Sequence, residues 1–215
     1  MNVPDLRFQV EEVVATANSA TPQLSFKVRI TDAERQAVHS IALRVQVQIE
    51  PVRRRYNDEE KARLKELFGE PEQWSKSLRP LLWANVNVNV PGFVGDTMIE
   101  VPVPCTFDFN VAMTKYIYGL EGGELPTSLL FSGTVFHAGS GVGLQVAQIP
   151  WDREASYRLP IDVWKEMMDR YYPNTAVLSL KREVFDRLSE FKTQNKIATW
   201  EQALERMLDL AGAKA

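Results

Sequence analysis

Apolar and polar residues alternate along much of the first 161 residues of this chain. A period of two places one set of side chains on each face of a strand. The clearest apolar sets lie in the first fifty residues: Leu6, Phe8 and Val10; Leu24, Phe26, Val28 and Ile30; Ile41, Leu43, Val45, Val47 and Ile49. Strands with one apolar and one polar face are typical of antiparallel sheets. The pattern therefore predicts antiparallel pairing.

The alternation resumes after residue 80. Val86, Val88 and Val90 alternate with asparagines. Every odd position from 99 to 111 is apolar or cysteine: Ile99, Val101, Val103, Cys105, Phe107, Phe109 and Val111. Pro102 and Pro104 fall between them, which predicts a strand at a sheet edge because proline donates no ladder hydrogen bond. Residues 128–136, 143–149 and 157–161 complete about seven or eight strands, the number expected of a sandwich. The predicted fold is mainly β (α+β): an antiparallel two-sheet sandwich with Greek-key connections.

Two helical segments interrupt or follow these strands. Asn57 and Glu60 have the spacing of a capping box, which predicts a helix near 58–68 within an insertion at about 51–80. Gly69 suits the end of that helix, and Pro71 suits the start of a second short one. Apolar residues at helical spacing predict another helix at 162–172. We assign residues 1–174 to the sandwich domain.

Residues 175–215 have a different pattern, which predicts a strand followed by two helices. Leu178 and Leu180 alternate with polar residues, and helices are predicted near 184–195 and 199–211. Thr199 and Gln202 have the spacing of a second capping box. The apolar positions of the two helices are Val184, Phe185, Leu188 and Phe191, then Trp200, Ala203, Leu204, Met207 and Leu208.

This tail resembles the ribbon-helix-helix module in the register of its apolar positions, from Leu178 through Leu188 and on through the second helix. The resemblance implies that two chains pair their strands antiparallel, giving a homodimer. Residues expected to carry self-association are Leu178, Leu180, Leu188, Leu204 and Leu208. The alternative is that residues 176–181 add a strand to the chain's own sandwich and the helices dock there. One strand and two short helices bury too little apolar surface to stand alone, so either arrangement supplies a missing core.

Most of the chain also resembles a family of uncharacterised bacterial proteins. The matching segments are Val103-Pro-Cys-Thr-Phe-Asp-Phe, Leu130-Phe-Ser-Gly-Thr-Val-Phe, Gln148-Ile-Pro-Trp and Trp164-Lys-Glu-Met-Met. Members of that family look like companions of oxygen-tolerant [NiFe] uptake hydrogenases in gene clusters. The resemblance implies a hydrogenase subunit as a protein partner, and it assigns no activity or catalytic residue.

Composition and charge limit the binding partners and cellular locations that we expect for this chain. The net charge of −3 is a weak basis for binding nucleic acid or an anionic membrane. No run of about 18 apolar residues is present, so no membrane span is predicted. The single cysteine and the absence of a secretory signal at the N-terminus predict a cytoplasmic protein.

The chemistry-bearing residues do not form a recognisable catalytic or metal-binding set. The chain has two histidines, His39 and His137, without metal-ligand spacing. Cys105 lies on the apolar set of its strand, where a thiol behaves as a small hydrophobe. Gly139, Gly141 and Gly143 join two strands, whereas a phosphate-binding loop opens a helix. We therefore predict no catalytic residue, no metal and no cofactor.

Two further features concern partners. Arg53, Arg54 and Arg55 form a basic run that suits an acidic partner, although residues 58–60 are acidic and are expected to neutralise it locally. Trp74 and Trp83 flank the irregular insertion and are the tryptophans predicted to contact a partner.

The function predicted from the sequence is therefore that of a non-catalytic interaction, assembly or scaffold factor, as an accessory protein of a [NiFe] hydrogenase system. The alternative is a DNA-binding transcriptional regulator whose tail places Val177, Ser179 and Lys181 in the major groove. Between Thr175 and Ala215 there are seven Lys/Arg and six Asp/Glu, a net +1 that gives little attraction to phosphates.

Overall fold

The computed structural model describes residues 4–106, 111–138 and 143–212. The chain forms two compact units, residues 1–175 and residues 176–215. The first unit contains all nine strands found in the described residues and four α-helices. The second contains two α-helices. No helix in the described ranges combines the length and apolar character needed to cross a membrane.

The elements are numbered in chain order. The strands are β1 Leu6–Ala15, β2 Gln23–Asp32, β3 Ala37–Ile49, β4 Leu81–Val90, β5 Phe93–Val94, β6 Asp96–Pro104, β7 Glu124–Ala138, β8 Leu144–Gln148 and β9 Glu154–Pro160. The α-helices are α1 Asp58–Phe68, α2 Trp74–Ser77, α3 Val111–Gly119, α4 Ile161–Tyr171, α5 Arg182–Gln194 and α6 Trp200–Leu210. Two 3₁₀ turns lie at Pro51–Arg53 and Pro71–Gln73.

Two antiparallel sheets confirm the predicted fold class. One sheet has the order β1-β2-β6, and the other has the order β4-β3-β7-β8, with β5 on β3 and β9 on β7. Every pairing in both sheets is antiparallel. The strand with Pro102 and Pro104, β6, lies at the edge of its sheet as predicted.

The apolar sets of the strands form the core between the two sheets. The five alternating residues of β3 from Ile41 to Ile49 are all buried. Aromatic rings join the sheets: Phe8 of β1 stacks on Phe131 of β7 with ring centroids 4.1 Å apart. Phe26 of β2 meets Trp83 of β4 edge-on, with centroids 6.3 Å apart. The period-two pattern thus predicted which strand faces would be buried.

The strand predicted for residues 99–111 is shorter than expected, and this prediction is corrected. Strand β6 ends at Pro104, and α3 begins at Val111. The alternation of apolar residues did not predict this helix. Phe107 and Phe109 lie outside the described residues. From Met113 onward the buried residues recur at helical spacing: Met113, Tyr116, Ile117 and Leu120. That spacing was the available indication of a helix.

The insertion between β3 and β4 forms as predicted. The Asn57 side chain accepts a hydrogen bond from the backbone N–H of Glu60. The Glu60 side chain accepts one from the backbone N–H of Asn57, which completes the capping box of α1. Gly69 ends α1 with a φ of 76°, a conformation that glycine adopts without a Cβ clash. Pro71 opens the following 3₁₀ turn, which leads into α2.

Candidate interaction surfaces

The unit formed by residues 176–212 contains two amphipathic helices, of which α6 has a side-chain N-cap. Helix α6 begins after Thr199, whose hydroxyl accepts a hydrogen bond from the backbone N–H of Gln202 at 3.2 Å. Only this half of the predicted second capping box is found. The polar turn between the helices is closed by Lys196, which has a φ of 55°. Both helices lie where the sequence pattern predicts them.

The two helices contact each other through a small aromatic cluster. The rings of Phe185 on α5 and Trp200 on α6 have centroids 5.2 Å apart. The ammonium group of Lys192 lies 5.5 Å from the centroid of the Trp200 ring, within the range of a cation–π interaction. Ala203 is the buried apolar residue of this unit. Such a cluster is a minor core for two helices.

Most large apolar side chains of this unit are exposed. The exposed set comprises Val177, Leu178, Leu180, Val184, Phe185, Trp200, Leu204, Met207, Leu208 and Leu210. Leu188 is half-buried. All five residues predicted to carry self-association are therefore at least partly accessible in a single chain. Large apolar side chains exposed in this number are typical of an interaction site.

Residues 176–181, predicted as a strand, form none in the single chain, and this is a correction. The described backbone there has no β-pairing, although Lys181 has extended dihedral angles (φ −62°, ψ 142°). A strand requires a hydrogen-bonded partner, which the alternation of Leu178 and Leu180 cannot supply by itself. In the single chain the segment therefore has exposed apolar side chains on a backbone without β-pairing.

The tryptophans predicted to contact a partner lie instead in the core of the other unit, so that prediction is corrected. Trp74 and Trp83 are both buried. The indole N–H of Trp74 donates to the carbonyl oxygen of Gly69 at 3.0 Å, and its ring packs edge-on against Tyr56 and Phe68. An irregular segment at the surface still needs apolar anchors to hold it on the sheet, and Trp74 is one of them.

Cys105 occupies a dry site. It is buried, and its thiol lies 3.4 Å from the carbonyl oxygen of Val103. Burial raises the pKa of the Cys105 thiol to about 12, against opposing hydrogen bonds from Leu24 and Trp164. The nucleophilic thiolate is therefore scarce at neutral pH.

The two histidines occupy different environments. His137 is buried with its Nδ1 3.1 Å from the carbonyl oxygen of Ala138, whereas His39 is exposed. Among the described residues, no three His, Cys, Asp or Glu side chains converge in a way that suits a metal ion. Gly139 and Gly141 of the glycine run lie outside the described residues.

A buried ionic and phenolic network attaches the insertion to the sandwich. The guanidinium of Arg54 bonds the Glu60 carboxylate at 2.7 Å and donates to the carbonyl oxygens of Gly122 and Glu124. The Tyr56 and Tyr116 hydroxyls lie 2.7 Å apart, and burial raises the pKa of Tyr56 to about 12. The middle arginine of the basic run is thus structural, which the sequence pattern did not indicate.

The other two arginines are not neutralised in the expected way. Asp58 pairs with Lys61 rather than with the basic run. Within the described parts of the chain, Arg53 and Arg55 have no carboxylate within ion-pair distance. The predicted local neutralisation therefore holds for Arg54 alone, and this prediction is corrected for its two neighbours.

Comparison with known proteins places the chain in a family without assigning it an activity. The model of the family described as "Family of unknown function (DUF6084)" matches residues 3–215, so the chain belongs to that family. No curated protein matches the sequence.

Three solved structures share a low level of similarity. A putative late embryogenesis abundant (LEA) protein, solved in solution, has 12% identity and a TM-score of 0.31, covering 74% of this chain and 73% of its own. A β-glucosidase from Kluyveromyces marxianus has 10% identity and a TM-score of 0.27, covering 72% and 15% respectively. A protein from Archaeoglobus fulgidus has 10% identity and a TM-score of 0.27, covering 69% and 96%. At these scores none of the three supports a functional argument.

Proposed function

We propose that this member of the family is a non-catalytic assembly or scaffold factor that pairs with a second copy of itself through residues 176–210. Its partner class is a protein, and the resemblance of residues 103–109, 130–136 and 148–151 to companions of [NiFe] hydrogenases makes a hydrogenase subunit the partner to test. The observation that carries the proposal is the exposed apolar surface of the tail.

The size of the tail explains why a partner is needed. Helices α5 and α6 have 13 and 11 residues, near the length at which an isolated helix is marginal in water. Burying an apolar side chain contributes roughly 1.5–3 kcal/mol to stability. In a single chain most large apolar side chains of the tail are exposed, so they do not make this contribution. A second copy that covers Leu204, Leu208 and their neighbours would supply it.

A second copy is favoured as the occupant because the unpaired segment is self-complementary. Antiparallel pairing centred on Ser179 places Leu178 of one chain opposite Leu180 of the other, which makes two apolar pairs. The same register places Lys181 opposite Val177, so no like charges meet. An isologous contact of this kind requires one patch to match itself across a two-fold axis.

The test is the mass of the full-length protein in solution. We expect wild type, whose chain mass is 24.5 kDa, to be dimeric in light scattering, with a mass that falls on dilution by mass action. Leu180→Lys buries an uncompensated charge at the pairing segment, which is strongly unfavourable. That variant should be a monomer whose sandwich unfolds at the wild-type temperature, and deletion of residues 175–215 should give the same result.

Gln194→Lys is the matched control, since it adds the same charge at an exposed polar position of α5, and it should remain dimeric. A monomeric wild type, or a Leu180→Lys chain that loses its entire fold, would contradict pairing and favour docking within one chain. Affinity purification from the native host, with Leu180→Lys as the comparison, then tests whether a hydrogenase subunit co-elutes.

A further inference from the structure

A cavity of about 300 Å³ lies in the sandwich unit where three distant segments meet. The 3₁₀ turn after β3 contributes one side, and the paired strands β7 and β9 contribute the rest. The lining residues are Arg53, Pro126, Thr127, Ser156, Tyr157 and Arg158. Two arginines thus line one small cavity.

The backbone holds both arginines in place. The N–H of Arg53 donates to the carbonyl oxygen of Glu50 at 3.0 Å, and the N–H of Glu50 donates to the carbonyl oxygen of Pro126 at 2.9 Å. On the other side, Arg158 lies directly opposite Pro126 in the β7–β9 register. Thr127 secures this register because its hydroxyl donates to the carbonyl oxygen of Tyr157 at 2.9 Å. Both arginines are therefore anchored at Pro126.

The charges of these arginines are largely unsatisfied. Arg53 has no ion-pair partner within the described ranges, whereas its neighbour Arg54 is committed to Glu60. Arg158 has one loose pair, 3.7 Å from Glu124, and both side chains are more than half exposed. An exposed pair at that distance contributes little. Along these segments the acidic residues within three positions of a lining residue are Glu124, Glu154 and the largely buried Glu50.

We propose that this cavity binds an acidic segment of a protein partner, with Arg53 and Arg158 taking the carboxylate of an aspartate or glutamate side chain. Arginine suits this role because its planar fork donates two parallel hydrogen bonds to a carboxylate. The buried ring of Pro126, which lies opposite Arg158 in the β7–β9 register, suits the methylene groups that precede such a carboxylate. A free phosphate ion carries no apolar group and gains nothing from that ring. The inference rests on the proposed function, since it names the partner's chemistry.

The test measures binding of a fluorescently labelled oligoglutamate peptide to the full-length protein by anisotropy. We expect saturable binding to wild type and a loss of about tenfold or more in affinity for Arg53→Glu and for Arg158→Glu, because a charge-assisted pair is replaced by repulsion. Arg55→Glu changes the net charge identically but does not line the cavity, so it should bind like wild type apart from a small ionic-strength effect. Arg158→Gln, which removes the charge without reversing it, should show an intermediate loss.

Several results would overturn the site. Absence of saturable binding to wild type would do so, as would an equal loss in Arg55→Glu, which would indicate diffuse surface charge. Displacement of the peptide by inorganic phosphate, beyond that caused by chloride at equal ionic strength, would indicate a small-anion site instead. Unchanged thermal unfolding of each variant is the control for folding.

The outcome is separable from that of the pairing proposal. The Leu180→Lys variant should bind the peptide with wild-type affinity, because the cavity is built from the sandwich alone. Loss of dimerisation with retained peptide binding therefore contradicts neither site. Dimeric wild type that does not bind the peptide would overturn the cavity proposal and leave pairing intact.

Discussion

The sandwich and the tail use similar amphipathic helices but bury them differently. Helix α4 of the sandwich places Trp164, Met167 and Met168 in the core, and Trp164 is 2% exposed. Helix α6 of the tail has the same helical spacing of apolar residues, yet Trp200 is 37% exposed and Leu208 is 55% exposed. A helix can thus be specified by its cap and periodicity while its apolar face has no partner. The difference indicates that the stability of the tail depends on contacts that cover this apolar face from outside the tail.

The largest expected effect comes from removing one tryptophan from each unit. Trp164→Ala should lower the free energy of unfolding by about 3–5 kcal/mol, the usual range when a large buried aromatic is truncated. Trp200→Ala should leave the unfolding of the sandwich unchanged, since that ring contacts Phe185 and Lys192 within the tail. Chemical denaturation of both variants measures the difference. Equal losses of stability in the sandwich transition would remove the distinction between the two units.

Substitution of a glycine in β7 sharpens the comparison, because it adds a side-chain atom to the sandwich rather than removing several. A Cβ at Gly133, which has a φ of 146°, would lie 2.1 Å from the backbone carbonyl oxygen of Ala42 on β3. Gly133→Ala should therefore destabilise by about 3 kcal/mol or more, since backbone strain and overpacking each cost roughly 1–3 kcal/mol. Gly69→Ala is the control for strain alone, because its φ is also positive but nothing lies within 4 Å.

Thermal unfolding of the two variants should separate these contributions. Gly69→Ala should cost about 1–3 kcal/mol, because a φ of 76° with a ψ of −157° is a backbone conformation that essentially only glycine adopts. The tail offers a counterpart in Gly212, which has a φ of 70° and nothing within 4 Å. Gly212→Ala should not change the sandwich transition. A Gly133→Ala protein as stable as Gly69→Ala would mean that β3 and β7 separate easily, contrary to a tightly packed sandwich.

The last comparison concerns solvent access to Cys105, which reports on the sandwich alone and has no effect on stability at neutral pH. Its folded pKa of about 12 lies above the unfolded value near 9.0. Between these values the unfolded chain loses the thiol proton and the folded chain keeps it, so stability should fall as pH rises from about 9 to about 12. The partly buried Tyr56 contributes in the same direction, because burial raises its pKa from about 10 to about 12.

Two measurements isolate the cysteine. Cys105→Ala should show a shallower decline of stability over that pH range, measured by denaturation at each pH. Alkylation of native wild type by iodoacetamide should be slow at pH 8 and should accelerate in denaturant. Deleting residues 175–215 should not change the native rate. Rapid alkylation of the native protein would contradict a dry site at Cys105.

The strand faces, the helix caps and the register of the tail helices were predictable because they are local. The apolar residues of β3 alternate with polar ones, and the burial of the first set follows from that period. Asn57, Glu60 and Gly69 mark the bounds of α1 through hydrogen bonds that reach only a few residues. Helix α3 was missed because the alternation of β6 continues through Val111, which made the following helix look like more strand.

The roles of the arginines and tryptophans were not predictable in this way. Arg53, Arg54 and Arg55 are adjacent in sequence, yet Arg54 forms a buried ion pair with Glu60 and Arg53 lines a cavity. Trp74 appeared to belong to a surface loop, but Tyr56 and Phe68 enclose it. Each outcome depends on how the chain folds around these side chains, and the residue type alone is compatible with either environment.

The sequence by itself determined which faces of the strands turn inward, where helices α1 and α6 begin, and that the tail carries a second apolar pattern. Those properties follow from backbone periodicity and short-range hydrogen bonding, which act within a few residues. Only the tertiary structure decided that Arg53 and Arg158, 105 positions apart, lie at one cavity beside Pro126. Only it decided that residues 176–181 form no β-pairing within the described chain. Both depend on how the chain pairs its strands over long distances, which no local pattern encodes.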